Sequence, residues 1–416
     1  MLLIVPGLLL STSSWSPDLD RRRTSELFKI TRRARLVQSF EADPASSVPQ
    51  IWEKRLPPST ARDRWTQLGR GLWWLVWLDD GEPLLVLPSA SDPSSLDLLF
   101  ADELHRNSFD QLTSLEERSP SALEQNCLQR LSSGTAVQWQ PSGLSSISGP
   151  LFPALASVSH GCISVALQGD RLMSEGPVAS RPFVSLMDAS GPDSTKPVLS
   201  DKPLAYLELN SVALQPLLGS FLNNPLIAEQ LTNRYGIPQV LRDVLLLAPV
   251  VLQVDSLDVG RFQASVQARL MVPAKHIGQL QSSLNAVSKA LVQRGFQRKQ
   301  QPLMLRKGAS STRVAVIWID SQGHAGGGWS LGPETEGQIE MLLALGDAPT
   351  LRHRPLKRLG QQRFRMRGRP DALAQLGWLG PGWPRAIRNA SQLELELTPL
   401  PKDQQPGWLS VQLELR

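Results

Sequence analysis

Residues 323–332 read GHAGGGWSLG and set two serine-hydrolase signatures side by side: His-Ala-Gly-Gly-Gly at 324–328 and Gly-x-Ser-x-Gly at 328–332. In the second, Ser330 would be a nucleophile on a sharp turn, activated by a histidine; in the first, glycine amides would hold an oxyanion. The spacing argues against both. A nucleophile elbow follows its strand at once, whereas Gly328 stands eight positions beyond Asp320, the end of the apolar run Thr312–Asp320. Oxyanion glycines come from a separate, earlier loop in such enzymes, and only His353 remains downstream of Ser330, between Arg352 and Arg354. A chain of this glycine and serine content gives the pattern by chance roughly 0.2 times. Ser330 is the catalytic candidate, and the simpler expectation is a glycine-rich hairpin tip leaving the strand, with Trp329 packed beside it.

Three other groups of residues invite a chemical reading. Leu351–Pro370 holds eight Lys or Arg residues and no acid, a pattern that would neutralise phosphates. Within it Arg363, Arg365 and Arg367 alternate with Phe364 and Met366, so on a strand they share one face. Glu394 and Glu396 alternate with Leu393, Leu395 and Leu397, and cross-strand Arg–Glu pairs on a solvated face are the simpler account. The run WWLVW, Trp73 to Trp77, is apolar on both faces, as in a strand covered on both sides or lining an apolar groove. His160-Gly161-Cys162 would bring a thiol and an imidazole together, but both stand at the entry of one strand, which favours a structural role. The histidines show no metal-ligand spacing, and there is no Walker loop or dinucleotide fingerprint, so the sequence implies no metal and no cofactor. The ligand or partner candidates are Trp73, Trp77, Trp329, Arg363, Arg365 and Arg367.

At 416 residues, 41% hydrophobic and 19% charged, the chain has room for two or three globular domains. With 33 Pro and 30 Gly, short elements joined by stiff turns are expected. A formal charge of +5 is too mild to imply a nucleic-acid partner; an anionic membrane surface, a protein or an apolar ligand remain as partner classes. Two cysteines, Cys127 and Cys162, allow one internal disulfide at most and no four-cysteine metal site. The apolar run Leu2–Leu10 is too short to span a bilayer as a helix and lacks a basic n-region, but is followed by small residues as an export signal would be. Residues 1–34 are expected to be an apolar and basic arm or the remnant of such a signal.

The elements that must position these residues look duplicated. Pro141, Leu144 and Ile147 match Pro370, Leu373 and Leu376, and Gly149-Pro150-Leu-Phe-Pro153 matches Gly380-Pro381-Gly-Trp-Pro384. Each copy reads as a strand, a Pro-led helix, a Gly-Pro break and a hairpin. Upstream, hairpins turning at Asp79–Gly81 and near Ser256–Gly260 each feed a helix. The first helix is expected from Ser91-Asp92-Pro93; the second carries Ile277, Leu280, Leu284, Val287 and Leu291 on one stripe. Before the second, Phe262 to Val272 alternate as one buried strand face. The expected fold is therefore α+β: a tandem duplication of a strand-helix-hairpin-helix-strand-helix-hairpin unit with antiparallel or mixed sheets, over 35–198 and 199–416. Such a duplication predicts a cleft between copies.

The strand entry Pro203–Ser211, the Trp-rich hairpin and the duplicated plan resemble a group of uncharacterised cyanobacterial envelope-type proteins. The resemblance implies envelope or thylakoid association and brings no activity. The function expected is a non-enzymatic binding or assembly protein, exported or envelope-associated, with a cytoplasmic site still open. The alternatives are a serine hydrolase using Ser330 and a polyanion or anionic-lipid binder using the arginines of 352–369.

Overall fold

The computed structural model describes residues 17–78, 81–92, 94–103, 106–107, 109, 119–143, 158–180, 203–209, 224–235, 237, 239, 242–243, 246, 248–257, 262–304, 310–350, 364–398 and 407–415. Two compact units divide the chain, 1–143 and 144–416. The domain boundary expected at 198/199, the apolar start of the N-terminal arm and the first Gly-Pro string lie outside the described residues.

The first unit is built on strands β1 (Leu36–Glu41), β2 (Leu72–Trp77), β3 (Leu84–Pro88), β4 (Leu96–Leu99) and β5 (Ala136–Trp139). All pair antiparallel, in the order β5-β1-β2-β3-β4. Helices α1 (Pro17–Thr31) and α4 (Ala122–Ser133) cover one face, and α2 (Gln50–Arg55) and α3 (Pro58–Leu68) the other. That double cover is why WWLVW is apolar at every position: Trp74 and Val76 meet Leu27, Ile30, Leu128 and Leu131, while Trp73 meets Trp52 and Trp65. Local chemistry agrees with the elements. Pro58 opens α3, and Ser121 and Glu124 form a capping box on α4, the Ser121 hydroxyl accepting from Glu124 N and the Glu124 carboxylate from Ser121 N.

The helix expected from Ser91-Asp92-Pro93 does not form. The Asp92 carboxylate accepts from the Ser94 amide (2.8 Å) and hydroxyl (2.7 Å), closing an Asx turn that leads into β4. The same short polar side chain that caps helices also makes such turns, and here the turn prevails.

In the second unit the described strands are β6 (Val158–Gln168), β7 (Arg171–Ser180), β8 (Ala205–Leu209), β9 (Val250–Ser256), β10 (Ala264–Pro273), β11 (Gln297–Met304), β12 (Ser310–Ile319), β13 (Ala325–Thr335), β14 (Gln338–Leu345), β15 (Phe364–Gly368), β16 (Gln392–Thr398) and β17 (Gly407–Glu414). Their pairings run β6-β7-β17-β16-β15-β8-β9-β10-β14-β13-β12-β11, all antiparallel. The α-helices described over their whole length are α5 (Pro225–Tyr235), α6 (Ile277–Val292), α7 (Pro370–Gln375) and α8 (Arg385–Arg388).

Among the described residues seventeen antiparallel strands thus dominate the fold, and the expected duplicated strand-helix α+β unit is corrected to a sheet-dominated architecture with few helices. The reason lies in 297–345. There the glycines of 325–332 belong to a strand, β13, which joins β12 to β14 in an antiparallel meander. The turn at Glu336-Gly337 has positive φ at both residues, 52° and 73°, as a two-residue hairpin turn with the sheet's own twist requires.

Register assigns each side chain of this sheet to a face. One face is apolar and receives α6, whose stripe buries Leu280 and Leu284. Ser288 on the same helix, fully buried, accepts from the indole nitrogens of Trp318 (3.0 Å) and Trp329 (3.3 Å). Leaving a buried indole N–H unpaired costs about 1–3 kcal/mol, and here one serine meets two of them. The other face carries polar rows across many strands, such as Gln267–Gln253–Tyr206–Arg367–Glu394–Gln412.

Candidate functional site

Ser330 lies in the middle of β13, opposite Ala315 of β12 and Leu342 of β14. Its hydroxyl is fully buried, donates to the Val314 carbonyl (2.8 Å) and accepts from Arg313 Nε (3.0 Å). No turn apex and no helix N-terminus adjoin it, so the elbow geometry is not present around this serine. The expected hairpin tip at 323–332 is corrected likewise: only 320–324 turn, and the following glycines are strand residues under close contact. A Cβ on Gly328 would stand 2.4 Å from the Val316 carbonyl oxygen and 2.8 Å from Pro349. Glycine is there because neighbouring backbone leaves no room for a side chain.

Arg313 completes a buried polar cluster. Its guanidinium donates to Glu340 Oε2 (2.9 Å) and to the carbonyls of Ser330 and Glu340, while Arg269 Nε donates to Glu340 Oε1 (2.9 Å). Burial pulls the Arg313 pKa down and the Glu340 carboxylate opposes that pull. Guanidinium stays charged regardless. A second cluster has the same composition: Arg365 and Arg367 both donate to Glu394 Oε1 at 2.8 Å. Burial raises the Glu394 pKa, but the hydrogen bonds and charges of the two arginines outweigh it and hold the carboxyl below the usual range. The expected solvated face is therefore corrected to a covered one, with the Arg365 side chain 7% exposed. Arg363 lies outside the described residues, as does His353.

The tryptophan candidates divide. Trp73 is buried in a nest with Phe40, Trp52 and Trp65, and Trp329 is buried under α6; Trp77 is half-buried. None of the three lines the pocket described below. Neither cysteine is a free thiol: Cys127 and Cys162 are both disulfide-bonded, which removes the thiolate that a Cys–His pair would need. Among the described residues no group of His, Cys, Asp or Glu has metal-holding geometry, and no helix is long and apolar enough to cross a membrane.

A pocket of about 260 Å³ does open at one end of the second unit's sheet, beside the turn of the opening motif. Four connections build it: Leu257 and Phe262 from the β9–β10 link, Phe296 from the α6–β11 turn, Asp320 to Gly326 from the β12–β13 turn, and Gly346 and Asp347 leaving β14. Asp320 shapes the turn, its Oδ1 accepting from the amides of Gln322 (2.8 Å) and His324 (3.0 Å). Its other oxygen lies 4.0 Å from His324 Nδ1. Asp347 Oδ1 accepts from the next amide, Ala348 N (2.7 Å). Gly326 lets the Phe296 ring lie against the backbone, where a Cβ would come within 2.5 Å of the ring. Phe262, expected as a buried strand residue, precedes β10 and is 48% exposed at the pocket.

The result is a pocket lined by two phenylalanines together with two aspartates and one histidine. Sequence reasoning found His324 and its glycines but not Phe262, Phe296, Asp320 or Asp347 as a set, because four separate loops supply them and no local spacing encodes the group. Comparison with protein-family models, with curated proteins and with solved structures returns no match.

Proposed function

We propose that the chain is a non-enzymatic binding or assembly factor whose ligand site is the pocket at 320–326. The observation that carries this reading is the pairing of exposed Phe262 and half-buried Phe296 with the Asp320 and Asp347 carboxylates around one cavity. Apolar walls with a few convergent polar groups are the usual composition of a small-ligand site. The ligand class that fits is an apolar body ending in an ammonium or guanidinium group, either a small amine or a basic side chain of a partner. The hydrolase alternative is not favoured, because the Ser330 hydroxyl is already held by Val314 and Arg313; the polyanion alternative loses Arg365 and Arg367 to Glu394. An oxidising compartment belongs to the same proposal, supported by the disulfide-bonded cysteines; recovery of the native chain with both thiols reduced would speak against it.

Fluorescence anisotropy of 1-naphthylmethylamine, with naphthylmethanol as its uncharged counterpart, tests the site. The amine is expected to bind in preference to the alcohol, with affinity falling about fivefold in Asp347→Asn, as for a partly exposed charge pair, and more in Phe262→Ala. Equal binding of amine and alcohol, or indifference to both substitutions, would refute the pocket. A fluorophosphonate adduct on Ser330 would refute the non-enzymatic reading independently.

A further inference from the structure

We propose that the loop between α7 and α8, residues 376–384, is a contact surface for an anionic lipid bilayer, a role separate from the pocket. The Gly380–Pro384 string that marks the sequence lies in this loop and takes no part in the site above. Trp378 at its start is 46% exposed, a large indole left in water, followed by half-buried Leu379 and Trp383 and exposed Pro381 and Pro384. Indole has an apolar body and a polar N–H, which suits it to the headgroup level of a bilayer better than to water or a dry core.

The loop is held rather than floppy. The amides of Trp378 and Leu379 both donate to the Leu373 carbonyl (2.9 and 3.4 Å), and Trp383 N donates to Gly380 O (3.2 Å). Beneath it, Ile387 of α8 packs with Ala390, Leu393 and Leu413, and Asp371 N donates to Ala390 O (3.0 Å). Trp378 is therefore displayed by a fixed platform, so little ordering entropy opposes its insertion.

Charge selects the partner. Between Arg369 and Ser391 stand three arginines, Arg369, Arg385 and Arg388, and one acid. That acid, Asp371, is buried, with Oδ1 accepting from Ala372 N, and Arg385 is exposed. An exposed indole at 378 and an exposed guanidinium at 385, on a segment whose one carboxylate is buried, are complementary to lipid phosphates. The same surface would repel a basic protein partner, and an acidic one is the outcome the experiment must exclude.

Flotation of the full chain with vesicles of phosphatidylglycerol and phosphatidylcholine, compared with pure phosphatidylcholine vesicles, reads the interaction directly. The wild-type chain is expected to float with the anionic vesicles and to be released by salt. Arg385→Gln is expected to weaken partitioning about fivefold, with its urea midpoint unchanged because that side chain is exposed, and Trp378→Ser by a similar or larger factor while the variant stays folded by circular dichroism. Absence of flotation, equal flotation with both vesicle types, or wild-type flotation by both variants would each overturn the proposal. The last result would put the contact elsewhere on the chain.

Discussion

At the scale of single residues, two buried clusters share one composition, a carboxylate between two guanidiniums. Glu394 is the informative member. Glu394→Gln would leave Arg365 and Arg367 facing each other on a covered sheet face, and a loss of about 2 kcal/mol is expected near neutral pH. Because the folded-state pKa of Glu394 is depressed, its contribution is present above the ordinary carboxylate value and fades as pH falls through the lower folded value. Urea unfolding of wild type and variant should therefore differ clearly at pH 7 and converge toward pH 3; a gap that stays constant across that range would contradict the account. The alternation of Arg and Glu in the sequence gave away the pairing, since period two on adjacent strands puts those residues on one face. It gave no sign of the burial, which depends on what else covers that face.

Elements show where local pattern suffices and where it misleads. Strands β2, β9 and β10 and helix α6 were legible because alternation and an apolar stripe agree with tertiary packing. Strand β13 was not, since glycines are poor strand formers and usually mark loops. Here they mark close approach: Gly327, with φ 147°, would set a Cβ 2.5 Å from the Ala344 carbonyl, and Gly328 is as crowded. Gly323, with φ 87°, meets nothing within 4 Å. Gly328→Ala is therefore expected to cost roughly 2–3 kcal/mol through backbone displacement, and Gly323→Ala only about 1 kcal/mol of conformational strain. Chemical denaturation of the two variants checks the ranking; equal tolerance at both positions would return 328 to a loop.

Taken whole, the molecule is a sheet-dominated protein in two unequal units, and the larger one carries the β11–β14 meander among its described strands. The pocket belongs to that meander's end. A strand reader sees Asp320 as a turn former and Phe262 as a core residue; only the return of four loops to one place makes them a site. Native-state hydrogen exchange across 320–335, with and without saturating 1-naphthylmethylamine, tests this most directly. The amides of 327–331 are expected to exchange slowly in both conditions, and those of 321–325 quickly until the amine slows them. Rapid exchange throughout 327–331, or a turn unaffected by the amine, would contradict it.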